Sequence, residues 1–175
     1  LGMYDRNSVT SQAVAGVRCQ TAAEPRMNSN DVFENCVGIE ISEAGRGKFF
    51  ENKIHHNAVA GGLVCDAGSD PFMVKNEVHS NYALGCHFRD CCTGRFDGNT
   101  VHGNTLAGCQ ISANGHPTLD GNTIRDGRSY GVRVTAAGKG CLLSNTIVRN
   151  DLAGIKVDGV GSSPDVTKGS ASHNL

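Results

Sequence analysis

The sequence predicts an all-β chain, a right-handed parallel β-helix: a solenoid of about seven coils of about 23 residues with three narrow parallel sheets. Two observations carry that prediction. Asparagine returns at a nearly fixed step, at Asn7, Asn30, Asn52, Asn76, Asn99, Asn122 and Asn145, and such a period marks a chain built from stacked copies of one small unit. Every apolar stretch is also only two to four residues long and alternates with polar residues, as in Val132-Arg133-Val134 and Ile155-Lys156-Val157. Short strands alternate in this way, whereas no helical i, i+3, i+4 stripe persists for three turns.

The elements of one unit follow in order from its anchor Asn. Three residues before the anchor lies an apolar residue (Met27, Phe49, Met73, Phe96, Leu119, Leu142), which marks the first strand. Two residues after it lies an aliphatic (Val9, Val32, Ile54, Val78, Val101, Ile124, Ile147), which marks the second. Five residues after it a second Asn recurs at Asn35, Asn57, Asn81, Asn104 and Asn150, with Gln12 and Gly127 as exceptions. Nine residues after it comes glycine (Gly16, Gly61, Gly85, Gly108, Gly131, Gly154, with Gly38 one residue early), and the third strand follows.

One such unit cannot bury its apolar side alone, so the copies stack about 4.8 Å apart, giving roughly 34 Å of solenoid. Asn at the corners is expected to take left-handed backbone and to bond the Asn of the next coil. The recurring Gly is expected to supply positive φ or a close backbone approach. Pro25, Pro71, Pro117 and Pro164 share one slot, filled in the intervening coils by Gly47, Gly94 and Gly140. The full period is therefore a pair of coils.

The whole of 1–175 reads as a single β-helix domain. It begins and ends in mid-pattern, so it is expected to be a segment of a longer protein. Sixteen basic and seventeen acidic residues leave a net charge of −1 without any basic run, so sequence-independent nucleic-acid binding has no electrostatic footprint. No apolar stretch approaches the length of a membrane span. Cys19, Cys86 and Cys109 occupy inward aliphatic slots, where a thiol acts as a small hydrophobe. Cys86 and Cys109 are neighbours in one column, but stacked parallel strands offer poor disulfide torsions. With no Asn-x-Ser/Thr sequon present, reduced cysteines and an intracellular (cytoplasmic or nuclear) location are expected.

The alternating pair "GSDPFMVKNEVHSNYALGCHF" and "GRFDGNTVHGNTLAGCQI" resembles the β-helix repeat region of the eukaryotic F-box-only family, that of F-box protein 11. It is similar more broadly to carbohydrate-binding and sugar-hydrolase β-helix repeats. The resemblance covers nearly the whole chain and implies a non-catalytic scaffold that recognises another protein, as a substrate-binding region of a ubiquitin-ligase adaptor. No F-box is visible, and the matched residues are scaffold residues, so no catalytic residue carries across.

Chemistry on this fold is expected on an outward sheet face, where side chains of successive coils converge. The outward positions of the third strands read, among others, Leu63/Cys65, His87/Arg89, Gln110/Ser112, Arg133/Thr135 and Lys156/Asp158. The candidate binding face is Asp66, His87, Arg89 and Asp90, with Arg133 and Lys156 further along. A lyase, hydrolase or epimerase acting on an acidic sugar is the rival function, because such a face offers a base beside cations for a carboxylate. Near-constant coil length leaves no room for groove walls, and the absence of Trp removes stacking platforms. A second column, His55, His79 and His102, is continued by Arg125. Its side chains run parallel rather than converge as structural zinc requires. Neither a metal nor another cofactor is therefore assigned.

Overall fold

The computed structural model describes residues 2–58 and 61–174. It is a right-handed parallel β-helix, with 23 short strands among the described residues arranged in three sheets, all parallel. One coil shows the plan: Phe72–Val74 lies in the first sheet, Glu77–His79 in the second and Cys86–Phe88 in the third. Each strand pairs with its equivalent in the coils before and after, so Met73 lies between Phe49 and Phe96 and Val78 between Ile54 and Val101. The first and second sheets hold eight strands each and the third holds seven.

Three-residue strands in the first two sheets turn only their middle residue inward. The third sheet turns in two, such as Cys86 and Phe88 around outward His87. The buried core is therefore four ladders of side chains, with Phe49, Phe88, Phe96, Ile39, Leu63 and Ile124 among the largest fully enclosed. Parallel strands only three residues long bury little per coil, so the corners must contribute to holding the stack.

They do so through asparagine. Along the first column, the backbone N–H and side-chain Nδ2 of each Asn from Asn7 to Asn122 both donate to Oδ1 of the Asn one coil on, for instance Asn76 to Asn99 at 2.8 and 2.9 Å. The same Nδ2 also reaches back a coil, Asn99 to the Met73 carbonyl at 3.1 Å. Asn30, Asn52, Asn76, Asn99, Asn122 and Asn145 are all buried, and burial makes an unmade bond there costly. A second ladder runs from Asn35 through Asn57 and Asn81 to Asn104. It is interrupted at Gly127, whose N–H alone reaches Asn150 Oδ1 at 3.1 Å.

Local backbone differs from the sequence expectation in one respect. The left-handed residue is the one before each Asn (Ser29, Glu51, Lys75, Ser144), not the Asn itself. A left-handed residue there turns the chain so that the Asn side chain points inward to its ladder. The ladder glycines serve close approach alone: a Cβ on Gly85 would stand 2.5 Å from the Gly108 carbonyl and 2.7 Å from Asn104 Nδ2. The Pro/Gly alternation has a packing cause. Gly94 takes φ 54°, and a Cβ there would meet the Pro71 ring at 3.1 Å.

One coil departs from the expected register. The step from Asn52 to Asn76 is the longest, and its extra residue falls before the third strand, so Gly62 rather than Gly61 is the ladder glycine facing Asn81. Leu63 and Cys65 consequently point into the core at 0% exposure, and Val64 pairs in register with His87. Cys65 then meets Cys92 of the next coil in a disulfide, with Cα atoms 5.9 Å apart. This corrects the expectation of wholly reduced cysteines, while Cys86 and Cys109 remain thiols.

Asn99→Ala removes the acceptor for two buried donors of Asn76, and should cost about 2–4 kcal/mol of unfolding free energy, read as a lowered urea midpoint. Gly127→Asn fills the gap in the second ladder at a position whose φ lies outside the left-handed region. It should raise the midpoint by the equivalent of about 1 kcal/mol. A neutral or destabilising result would show that the ladder amide adds nothing there.

Candidate functional site on the third sheet

The outer face of the third sheet carries one side chain from the middle of each strand and one just past it. With the register corrected, the first row reads Arg18, Glu40, Val64, His87, Gln110, Arg133 and Lys156. The second row includes Asp66, Arg89, Ser112, Thr135 and Asp158, each donating its backbone N–H to the carbonyl of the last strand residue one coil back.

Four of the six residues proposed from sequence come together. The Arg89 guanidinium bonds Asp66 Oδ2 at 2.9 Å and lies 3.5 Å from Asp90 Oδ2. His87 stands beside Arg89 and Asp90 in the same coil, with Asp66 one coil back. Arg133 and Lys156 lie two and three coils further along the axis. Arg133 bonds Asp158 at 3.2 Å, and Lys156 has no ion-pair partner among the described residues.

Sequence reasoning placed Gln110 and Ser112 on this face but gave them no role, and both engage His87. Ser112 Oγ lies 3.0 Å from His87 Nε2, and Gln110 Nε2 lies 3.3 Å from the same atom. An amide nitrogen can only donate, so His87 Nε2 holds a lone pair and the ring proton sits on Nδ1. Burial, and then the Arg89 charge, push the His87 pKa below the usual imidazole value, which agrees with a neutral ring. The signal that would have found this pair was the column itself, since Gln110 is the register partner of His87.

Two guanidinium nitrogens on the face are incompletely used. Arg89 Nε and Arg133 Nε are buried without a hydrogen-bond partner among the described residues, as is Asp158 Oδ1. Asp158 has its pKa lowered by the Thr135 hydroxyl and then by Arg133. The face therefore presents a neutral imidazole together with the Arg89, Arg133 and Lys156 cations.

The second column lies on the outer face of the second sheet. The His55, His79 and His102 rings stack at 4.9 Å between centroids, and Phe33 covers His55 at 5.2 Å. Asp31 bonds His55 and Glu77 bonds His102 through their Nε2 atoms. Among the described residues, no group of three or more His, Cys, Asp or Glu side chains is placed to hold a metal ion.

Comparison with known proteins bears on the fold first. The family described as the right-handed beta helix region matches residues 3–123 and again 61–175. The chain belongs to this right-handed β-helix family. Among solved structures, it is similar to the A-module of a mannuronan C-5 epimerase from Azotobacter vinelandii, with a TM-score of 0.71 and 13% identity. The likeness covers 99% of this chain and 58% of that one, so the chain spans little more than half the length of its structural neighbour. No curated protein sequence matches it.

Burial of neutral His79 and His87 makes acid unfavourable to the fold. Both have folded-state pKa values below the ordinary 6.5, so the unfolded chain takes up protons first as pH falls. Their contribution is complete above about pH 7 and is lost as pH drops through about 6 towards their folded values. Urea midpoints should therefore decline from pH 7 to 5. The His79→Gln/His87→Gln double variant should flatten that decline, and an unchanged slope would assign it to other groups.

Proposed function

We propose that the outer face of the third sheet binds an acidic polysaccharide laid along the solenoid axis, and that His87 is its proton acceptor. The observation that carries this reading is the neutral His87, whose Nε2 lone pair faces Ser112 and Gln110, on one sheet face with Arg89, Arg133 and Lys156. Abstracting a proton beside a uronate carboxylate needs a base that is unprotonated near neutrality and a cation to hold the developing charge. His87 supplies the first. The guanidinium charges of Arg89 and Arg133 on the same face supply the second. The structural neighbour is named as an epimerase of mannuronan, a polysaccharide, which supports a carbohydrate reading over the ligase-adaptor role implied by the F-box-only resemblance.

A protein partner is the second reading, and one observation favours it. The charges on the face are largely satisfied by one another, as in Asp66–Arg89 and Arg133–Asp158. A flat, self-paired face suits recognition by a complementary surface as well as it suits a sugar chain.

The test is a panel of polyuronates, with binding followed by calorimetry and turnover by proton NMR. Arg133→Ala/Lys156→Ala should weaken binding about tenfold, the equivalent of ~1.4 kcal/mol. His87→Gln should retain binding and lose turnover. If the wild-type chain binds no uronate polymer, the carbohydrate reading fails and the protein-recognition reading stands.

A further inference from the structure

The second sheet carries a pair of imidazoles that the proposed sugar face does not use. His55 ends the strand Lys53–His55 and His56 follows it with φ 52°. That left-handed turn folds the His56 ring back against the edge of His55, so that the two Nδ1 atoms stand 2.7 Å apart. Two ring nitrogens this close cannot both carry a proton. One lone pair must face the other nitrogen.

The far side of His55 decides which nitrogen holds the lone pair. His55 Nε2 lies 2.8 Å from Asp31 Oδ1, and a nitrogen facing a carboxylate donates its proton. His55 Nδ1 is therefore the bare nitrogen, and His56 Nδ1–H donates to it. The ring has no freedom to turn away, because Phe33 stacks on one side at 5.2 Å and His79 on the other at 4.9 Å. Carboxylate, imidazole and open nitrogen in this sequence are the arrangement by which proteins orient a metal-ligating histidine.

We propose that His55 Nδ1 and His56 Nδ1 form a two-nitrogen chelate for a first-row transition ion of the nitrogen-preferring kind, Cu2+, Zn2+ or Ni2+, with Asp31 positioning His55. Two bonds of about 2.0–2.1 Å span roughly 2.9 Å at the right angle of tetragonal Cu2+ or Ni2+ and roughly 3.3 Å at the tetrahedral angle of Zn2+, so the pair at 2.7 Å need open by about 0.2–0.6 Å. The ion takes the place of the bridging proton. His56 loses that proton from Nδ1 and takes one up from water at Nε2, so the proton count on the protein is unchanged. His79 does not join, because its Nδ1 is engaged by Ser80 Oγ at 3.1 Å. The remaining coordination positions face solvent, since His56 is exposed, and they are filled by water or an external ligand. Imidazole donors suit these ions, and Cu2+ binds tightest; Ca2+, which seeks oxygen, serves as the control.

The experiment is titration of Cu2+ and Ni2+ into the untagged chain by calorimetry, with electron paramagnetic resonance of the Cu2+ form to count nitrogen ligands. Expected are one saturable site per chain, coupling to two nitrogens, and no response to Ca2+. His56→Asn keeps a residue that tolerates left-handed backbone and should weaken binding at least tenfold. Asp31→Asn should weaken it about tenfold, while His102→Ala, one coil beyond His79, should leave it unchanged. Far-ultraviolet circular dichroism confirms that each variant is folded. The absence of saturable uptake, or uptake undiminished in folded His56→Asn, overturns the proposal.

Discussion

The bond from each buried Asn to the Asn of the next coil is the constraint on which the rest of this molecule depends. A three-residue strand contributes one or two inward side chains and too few ladder bonds to define its own register. The Asn side chain supplies what the strand lacks. Its Oδ1 accepts two donors from one coil, while its Nδ2 donates to the next coil and to the carbonyl of an earlier strand. Each amide thereby ties three levels of the stack together at a fixed height and rotation. Once the corners are fixed, the strands between them place equivalent residues in straight columns, and the chemistry of the surface becomes a matter of which columns carry which side chains.

Two such columns carry the functional argument. On the third sheet, the coil rise sets His87 beside Gln110 and Ser112, and sets Arg89 against Asp66. The result is an imidazole kept neutral by burial on a face that also carries Arg89, Arg133 and Lys156. On the second sheet the same rise stacks Phe33, His55, His79 and His102 face to face. Stacking restrains the rings, and the ends of their edges are then tied by Asp31 and Glu77. In both places the solenoid turns residues far apart in sequence into neighbours without any loop being built for the purpose.

Most of the architecture was legible because a repeat states its own alignment. The anchor Asn residues, the aliphatic two residues later and the Pro/Gly slot each occupy the expected place. Legibility failed where the period changed length. In the coil from Asn52 to Asn76, either Gly61 or Gly62 satisfied the pattern, and only packing against Asn81 and Gly85 decides between them. Choosing Gly61 moved Leu63 and Cys65 to the wrong face and hid the Cys65–Cys92 bond. The left-handed corners were misassigned by one residue because Asn tolerates that backbone, although here its buried side chain requires another. At the site, charged residues announced themselves, whereas neutral Gln110 and Ser112 gained meaning only from the partner they touch. His56 lay outside the repeat pattern and was found by geometry alone.

The account rests on amides that are buried and bonded on every side, and their protons report this directly. Hydrogen exchange of the Asn side-chain NH2 groups, followed by nitrogen-15 NMR, measures it without altering the chain. For Asn52, Asn76, Asn99 and Asn122, exchange should be slow and governed by the same opening free energy as the core backbone amides. Exchange at rates typical of solvent-exposed side-chain amides, while the neighbouring strands stay protected, would mean that the ladders are not what holds the coils in register.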